Sequence, residues 1–192
     1  YFPGLVEELL ANGAARVDMA GDTRWFYFGD WKARFASGVG FLSQTRGFLE
    51  WTVRMRLAAL PNVTIRPETD VRGLAVDDAG RVRGVRLDAT GETVAADLVV
   101  DATGRVSRGT AWLADLGLPV PEETSVKVAV GYASRFYRRP PGAAHDWKAL
   151  FVYPRPPGTR LGVIVPVEGD RWMVTLVGWF HDHPPDDDDG FL

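Results

Sequence analysis

The stretch Asp97-Leu98-Val99-Val100-Asp101-Ala102-Thr103-Gly104-Arg105 carries the sharpest chemical signal in the chain. Residues 98–100 are a continuous apolar run, as expected of a strand covered on both faces. Open α/β sheets place their ligands at the C-terminal edge of such strands. Gly104 lets the backbone approach a ligand with no Cβ in the way, and Asp101 can accept hydrogen bonds from a sugar hydroxyl or a backbone N–H. An ordinary strand–loop junction closed by an aspartate turn accounts for the same residues. A second signal is Ser43-Gln44-Thr45-Arg46 at the start of a predicted helix. A helix N-terminus favours an anion, Arg46 adds a bidentate donor fork, and phosphate is the natural ligand. Capping by Ser43 or Thr45 beside a solvated arginine is the alternative.

Other patterns carry less. Gly38-Val39-Gly40-Phe41-Leu42-Ser43 lacks the third glycine and the buried preceding strand of a dinucleotide fingerprint, so it is read as a turn. His181-Asp182-His183 offers two imidazoles without an evident third ligand and reads as a polar turn. Asp186 to Asp189 suits a helix start or a solvated tail. No G-x-S-x-G elbow is present, and no residue stands out as a general acid or base. Trp25, Phe26, Tyr27, Phe28, Trp31 and Phe35 crowd one short stretch. They form either a core or the wall of an apolar ligand site, since a lone hairpin cannot bury two aromatic faces.

Composition narrows the field. The 192 residues carry 22 basic and 25 acidic side chains, a net charge of -3, so no basic footprint for nucleic acid exists. With no cysteine, disulfides, thiolate nucleophiles and iron–sulfur clusters are excluded. No apolar run approaches the ~18 residues of a transmembrane helix. All but three of the basic residues are arginine, a habit of GC-rich bacterial genomes. The chain opens on Tyr1 without a charged and apolar leader, which reads as a segment of something longer, of cytoplasmic location.

The elements that must position these residues follow from periodicity. A short helix is predicted over 3–10, an aromatic hairpin over 24–35, and a helix over 45–60 with apolar residues three and four apart. Three strands at 71–76, 81–87 and 92–95 follow, with turns at 77–80 and 89–91. After the 98–100 strand comes a short helix at 111–116. Four strands are predicted at 126–136, 149–153, 161–166 and 172–179, with turns at 140–142, 154–158 and 168–170.

In this order the elements resemble the flavin-dependent monooxygenases of the para-hydroxybenzoate-hydroxylase type and related FAD-dependent oxidoreductases. The residues that carry the likeness are Ser43-Gln44-Thr45-Arg46-Gly47-Phe48-Leu49-Glu50-Trp51, the stretch from Pro61-Asn62-Val63-Thr64-Ile65 to Val71-Arg72-Gly73-Leu74, and, most specifically, Ala96-Asp97-Leu98-Val99-Val100-Asp101-Ala102-Thr103-Gly104-Arg105-Val106-Ser107-Arg108. The family's N-terminal strand–GxGxxG–helix and its C-terminal Gly-Asp segment are absent, so the likeness covers only its middle. It implies FAD with Arg46 near its phosphates, the backbone at Val71 near its adenine, and Asp101, Ala102, Thr103, Gly104 and Arg105 on its pyrophosphate side.

The fold class implied is α/β (α+β): part of a Rossmann-like FAD domain with a β-meander at 43–118, and an antiparallel substrate-binding sheet from 1–42 and 119–192 with a flanking helix. The expected activity of the parent is hydroxylation or epoxidation of an apolar or aromatic small molecule with NAD(P)H and O₂. Alternatives are a reductase or dehydrogenase of the same fold acting on prenyl or carotenoid-like chains, and a non-catalytic module that binds an apolar ligand. FAD binding by this segment alone is expected to be weak or absent, and surface left uncovered invites dimerisation.

Overall fold

The structure, a computed structural model, describes residues 2–88, 90–140, 142 and 145–191. The chain forms two compact units, Tyr1–Leu60 with Lys127–Leu192, and Pro61–Val126. The sequence-based division at 42/43 and 118/119 runs differently, because it grouped residues by expected cofactor contact rather than by packing.

In the larger unit, helix α1 (Leu5–Ala11) leads to strands β1 (Ala15–Asp18), β2 (Thr23–Tyr27), β3 (Asp30–Trp31) and β4 (Gly40–Ser43), then to helix α2 (Arg46–Ala58). The smaller unit holds β5 (Val71–Val76), β6 (Val82–Leu87), β7 (Thr93–Ala95), a 3₁₀ turn (Gly104–Val106) and α3 (Gly109–Asp115). The larger unit resumes with β8 (Gly131–Arg138), β9 (Ala149–Val152), β10 (Arg160–Val167), β11 (Arg171–Gly178) and α4 (Asp188–Phe191).

Six strands of the larger unit form one sheet in the order β3-β2-β9-β10-β11-β8, antiparallel except for the β2–β9 pair. A separate two-stranded ladder, β1–β4, pairs Ala15 with Ser43 and Asp18 with Gly40. The core lies between ladder and sheet. Val17, Ala149 and Val165 are buried, with Phe41, Phe151, Val163 and Met173 against them. Three buried hydroxyls are satisfied, as burial requires: Thr23 donates to the Asp18 carbonyl at 3.1 Å, Thr52 to Phe48 at 2.9 Å, and Ser43 to Pro166 at 2.5 Å. The Asp18 carboxylate accepts N–H groups of Ala20, Gly21 and Gly38 and the Ser37 hydroxyl. It thereby ties the irregular segment after β3 to the end of β1. Those bonds, that of Gly21 first, hold its carboxyl well below the usual range.

In the smaller unit, β5, β6 and β7 form an antiparallel meander. Gly84 is indispensable there. Its φ is +155°, and a Cβ would stand 2.1 Å from the Val94 carbonyl oxygen.

Most predicted elements are present, within a few residues. Three differ. Residues 98–100 form no strand, and Leu98 and Val100 are 78% and 74% exposed. An apolar run encodes burial but not a partner, and no described strand pairs with it. Gly40–Ser43, read as part of a turn, is a strand, because Ala15–Asp18 supplies a ladder that no local pattern announces. The strand predicted at 126–136 begins only at Gly131, since Ala129 takes a left-handed φ of 49° that breaks the extended run. The turns at 89–91 and 140–142 include Ala89 and Pro141, which lie outside the described residues.

Gly84→Ala should therefore destabilise the meander by about 3 kcal/mol, the range of an overpacked, strained site. A urea titration followed by circular dichroism checks this; an unchanged unfolding profile would contradict it.

Candidate functional site

The smaller unit places its chemistry in the turn after residue 100. The Asp101 carboxylate organises that turn. One oxygen accepts the Thr103 N–H at 3.0 Å and the Thr103 hydroxyl at 2.5 Å, and the other accepts the Ser107 hydroxyl at 2.6 Å. The Ser107 oxygen in turn accepts the Gly109 N–H at 3.0 Å, which opens α3. Hydrogen bonds to the charged form favour it. The Ser107 and Thr103 hydroxyls accordingly hold Asp101 down to about 2. A Cβ on Gly109 would come within 2.9 Å of the carboxylate, so glycine is needed where α3 starts.

Gly104 has φ +68° and nothing within 4 Å of where a Cβ would be, so the backbone is open to approach at that point. Ala102, Thr103 and Arg105 are exposed around it, and Arg105 has no ion-pair partner among the described residues. Beside the turn is a cavity of about 330 Å³, lined by Leu74 and Val82 of the meander, Leu98 and Asp101, and Trp112 and Leu113 of α3. The buried Trp112 Nε1–H has no acceptor among the described residues. Val71, the first residue of β5, pairs with Leu87 in the same unit, with a register shift before Gly73.

Arg46 belongs to the larger unit. Its side chain is 94% exposed and reaches Glu50 only at 3.8 Å. Thr45 caps the helix, its hydroxyl oxygen accepting the Phe48 N–H at 3.2 Å. The anion at this N-terminus is a side chain of the protein itself. Glu168, in the β10–β11 turn, accepts the Thr45 N–H at 2.9 Å and the Thr45 hydroxyl at 2.6 Å. Partial burial pushes the Glu168 carboxyl up, but the bonds from Thr45, with Arg171 nearby, outweigh it and hold the group below its ordinary value. Beyond those two groups, an external anion would have the Arg46 guanidinium. Of the sequence candidates, then, Val71 and 101–105 share one unit and Arg46 lies in the other.

The aromatic stretch forms a surface of the large sheet. Trp25 stacks on Phe151 at 4.3 Å and lies 6.0 Å from Tyr153, while Tyr27 meets Tyr153 edge-on at 5.2 Å. An open cleft of about 280 Å³ is lined by Trp25, Tyr27, Lys32 and Tyr153. His181 and His183 stand 6.0 Å apart between ring centres. Among the described residues no three acids or histidines are grouped to hold a metal, and no helix is long and apolar enough to cross a membrane. Sequence reasoning did not nominate Ser107, Gly109 or Glu168. The first two follow Asp101 at six and eight residues and act only through the fold of the turn. Glu168 lies far along the chain from Thr45.

No profile of a known protein family matches the chain. Protein Rv3254 of Mycobacterium tuberculosis H37Rv is 31% identical over 96% of this chain and 41% of its own length. Among solved structures, PqsL of Pseudomonas aeruginosa, a probable FAD-dependent monooxygenase, is similar with a TM-score of 0.65 and 16% identity, over 92% of this chain and 46% of PqsL. A variant of PqsL gives 0.67 and 18% over the same shares. A variant of the flavin-dependent brominase Bmp2 gives 0.56 and 17%, over 91% of this chain and 43% of that one. The chain thus has the fold of part of these flavoproteins and spans less than half the length of each relative.

Two outcomes are expected from this geometry. Ser107→Ala should raise the titration midpoint of Asp101 from about 2 toward the ordinary 3.8, read from its carboxyl carbon by NMR. Glu168→Gln should lose about 1 to 2 kcal/mol of stability at pH 7. Since the folded group titrates below its ordinary 4.5, that contribution is complete above 4.5 and disappears as pH falls through the folded value. Urea midpoints of the variant and the parent should therefore converge in acid.

Proposed function

We propose that this chain contributes the substrate-side sheet and part of the cofactor-binding region, residues 43–118, of a longer FAD-dependent oxidoreductase. The reaction proposed is hydroxylation or epoxidation of an apolar or aromatic small molecule at the expense of NAD(P)H and O₂. The observation that carries this reading is the fold shared with PqsL over 92% of the chain.

The residues of the smaller unit fit a dinucleotide. Gly104 leaves a Cβ-free approach to the backbone, and the exposed Arg105 and Arg108 supply positive charge next to it. The Asp101 carboxylate, engaged by Thr103 and Ser107, fixes the turn rather than meeting phosphate directly. Backbone groups at Val71 are assigned to the adenine and the Arg46 guanidinium to phosphate, both on family resemblance. When bound, the flavin would accept a hydride from NAD(P)H and activate oxygen, chemistry that belongs to the cofactor. The protein's part is to orient the substrate and exclude water. The stacked Trp25, Phe151 and Tyr153 offer a flat apolar surface for that task.

The test is made on the longer protein. It should retain FAD through purification and consume O₂ as NAD(P)H is oxidised, with the 192-residue chain alone binding FAD far more weakly in a fluorescence titration. NAD(P)H oxidation that needs no oxygen would shift the assignment to a reductase or dehydrogenase of the same fold. A longer protein without affinity for FAD would refute the flavin reading.

A further inference from the structure

A second cleft of the larger unit, about 360 Å³ in volume, brings three cations to the edge of an aromatic platform. Trp147 and Trp172 lie 6.0 Å apart with their planes only 19° from parallel, and His145 stacks on Trp147 at 4.7 Å. Pro166 completes the apolar surface, while Arg16, Arg139 and Lys148 line the same cleft. Among the described residues, no carboxylate lines it. The acids that touch its cations are Asp22, which accepts the Lys148 ammonium at 2.9 Å, and the exposed Asp170, 3.4 Å from Arg139. Lys148 also donates to the Arg16 carbonyl at 3.0 Å, so its position is fixed. The Arg139 guanidinium lies 5.8 Å from the Trp172 ring centre. Arg16 has no ion-pair partner among the described residues. One positive charge therefore remains uncompensated, beside flat rings.

We propose that this cleft binds a planar aromatic monophosphate of the nucleotide kind, through its ring and its phosphate. Indole surfaces stack on any planar heterocycle, and base–aromatic stacking is sequence-tolerant because every base has a π-face. Guanidinium forks match phosphate oxygens in pairs, which suits the unpaired Arg16, with Arg139 beside it, to a phosphate. The volume is that of a small-ligand site. This site is distinct from the turn at Asp101 and does not rest on the flavin reading.

The test uses the 192-residue chain and isothermal titration calorimetry with AMP, adenosine and 1-naphthoate. AMP should bind at least tenfold more tightly than adenosine, and its affinity should fall with added KCl while that of adenosine does not. The double variant Arg16→Gln, Arg139→Gln should bring AMP to the level of adenosine with an unchanged circular dichroism spectrum. The salt series on the unaltered protein decides the matter if that variant fails to fold. Equal binding of AMP and adenosine, AMP affinity indifferent to salt, no saturable AMP binding, or tighter binding of 1-naphthoate than of AMP would each overturn the proposal. Because no flavin is present, failure here leaves the oxidoreductase reading intact, and failure of that reading leaves this one to stand on its own result.

Discussion

The parallel ladder between β2 and β9 is the contact on which the larger unit depends. Thr23 to Phe26 pair residue by residue with Ala149 to Val152, joining two stretches of chain separated by the whole of the smaller unit. Closing so long a loop costs chain entropy before any contact returns it. The ladder is accordingly reinforced on all sides. The Asp22 carbonyl accepts the N–H groups of both Lys148 and Ala149, Tyr153 donates to Phe26, and Trp25 stacks on Phe151 across the pair. Side-chain pairs add to this where the two segments meet, Lys148 with Asp22 and Arg34 with Asp146. The Glu168 cap on Thr45 is a further tie between the same segments, joining the β10–β11 turn to the start of α2.

Local chemistry made much of this legible. The 3.6-residue periodicity of Phe48, Leu49, Thr52 and Val53 marks α2. Turn residues such as Asp77, whose carboxylate receives the N–H groups of Ala79 and Arg81, mark the meander. Alternation and Gly-containing turns mark β8 to β11. What escaped is what depends on remote partners. Ala15–Asp18 is too short to show a period and becomes a strand only because Gly40–Ser43 lies beside it. The apolar 98–100 run shows the opposite failure, a strand composition without a described strand to pair with. At the candidate site, the sequence pointed to Asp101 and Gly104 because the C-terminal edge of a buried strand is where open α/β sheets place ligands, and a glycine there leaves the backbone open. It could not show that Ser107 and Gly109 complete the turn, because their roles exist only once the chain has folded back on Asp101.

Several carboxylates among the described residues are inward-looking. Asp101 is engaged by Thr103 and Ser107, and Glu168 by Thr45 and Arg171, so both carboxylates set backbone geometry. Asp18 does the same for the segment after β3. A carboxylate saturated by donors of its own fold is held ionised and has little capacity left for a proton or a ligand. The same fold leaves Arg16, Arg105 and Arg108 without ion-pair partners among the described residues, and gathers Trp25, Phe151 and Tyr153, or Trp147 and Trp172, into flat surfaces. Guanidinium groups and stacked rings bind and orient; neither accepts a proton near neutral pH. Beside these fixed carboxylates, the described residues present guanidinium groups and aromatic faces, which are groups suited to binding planar or anionic molecules.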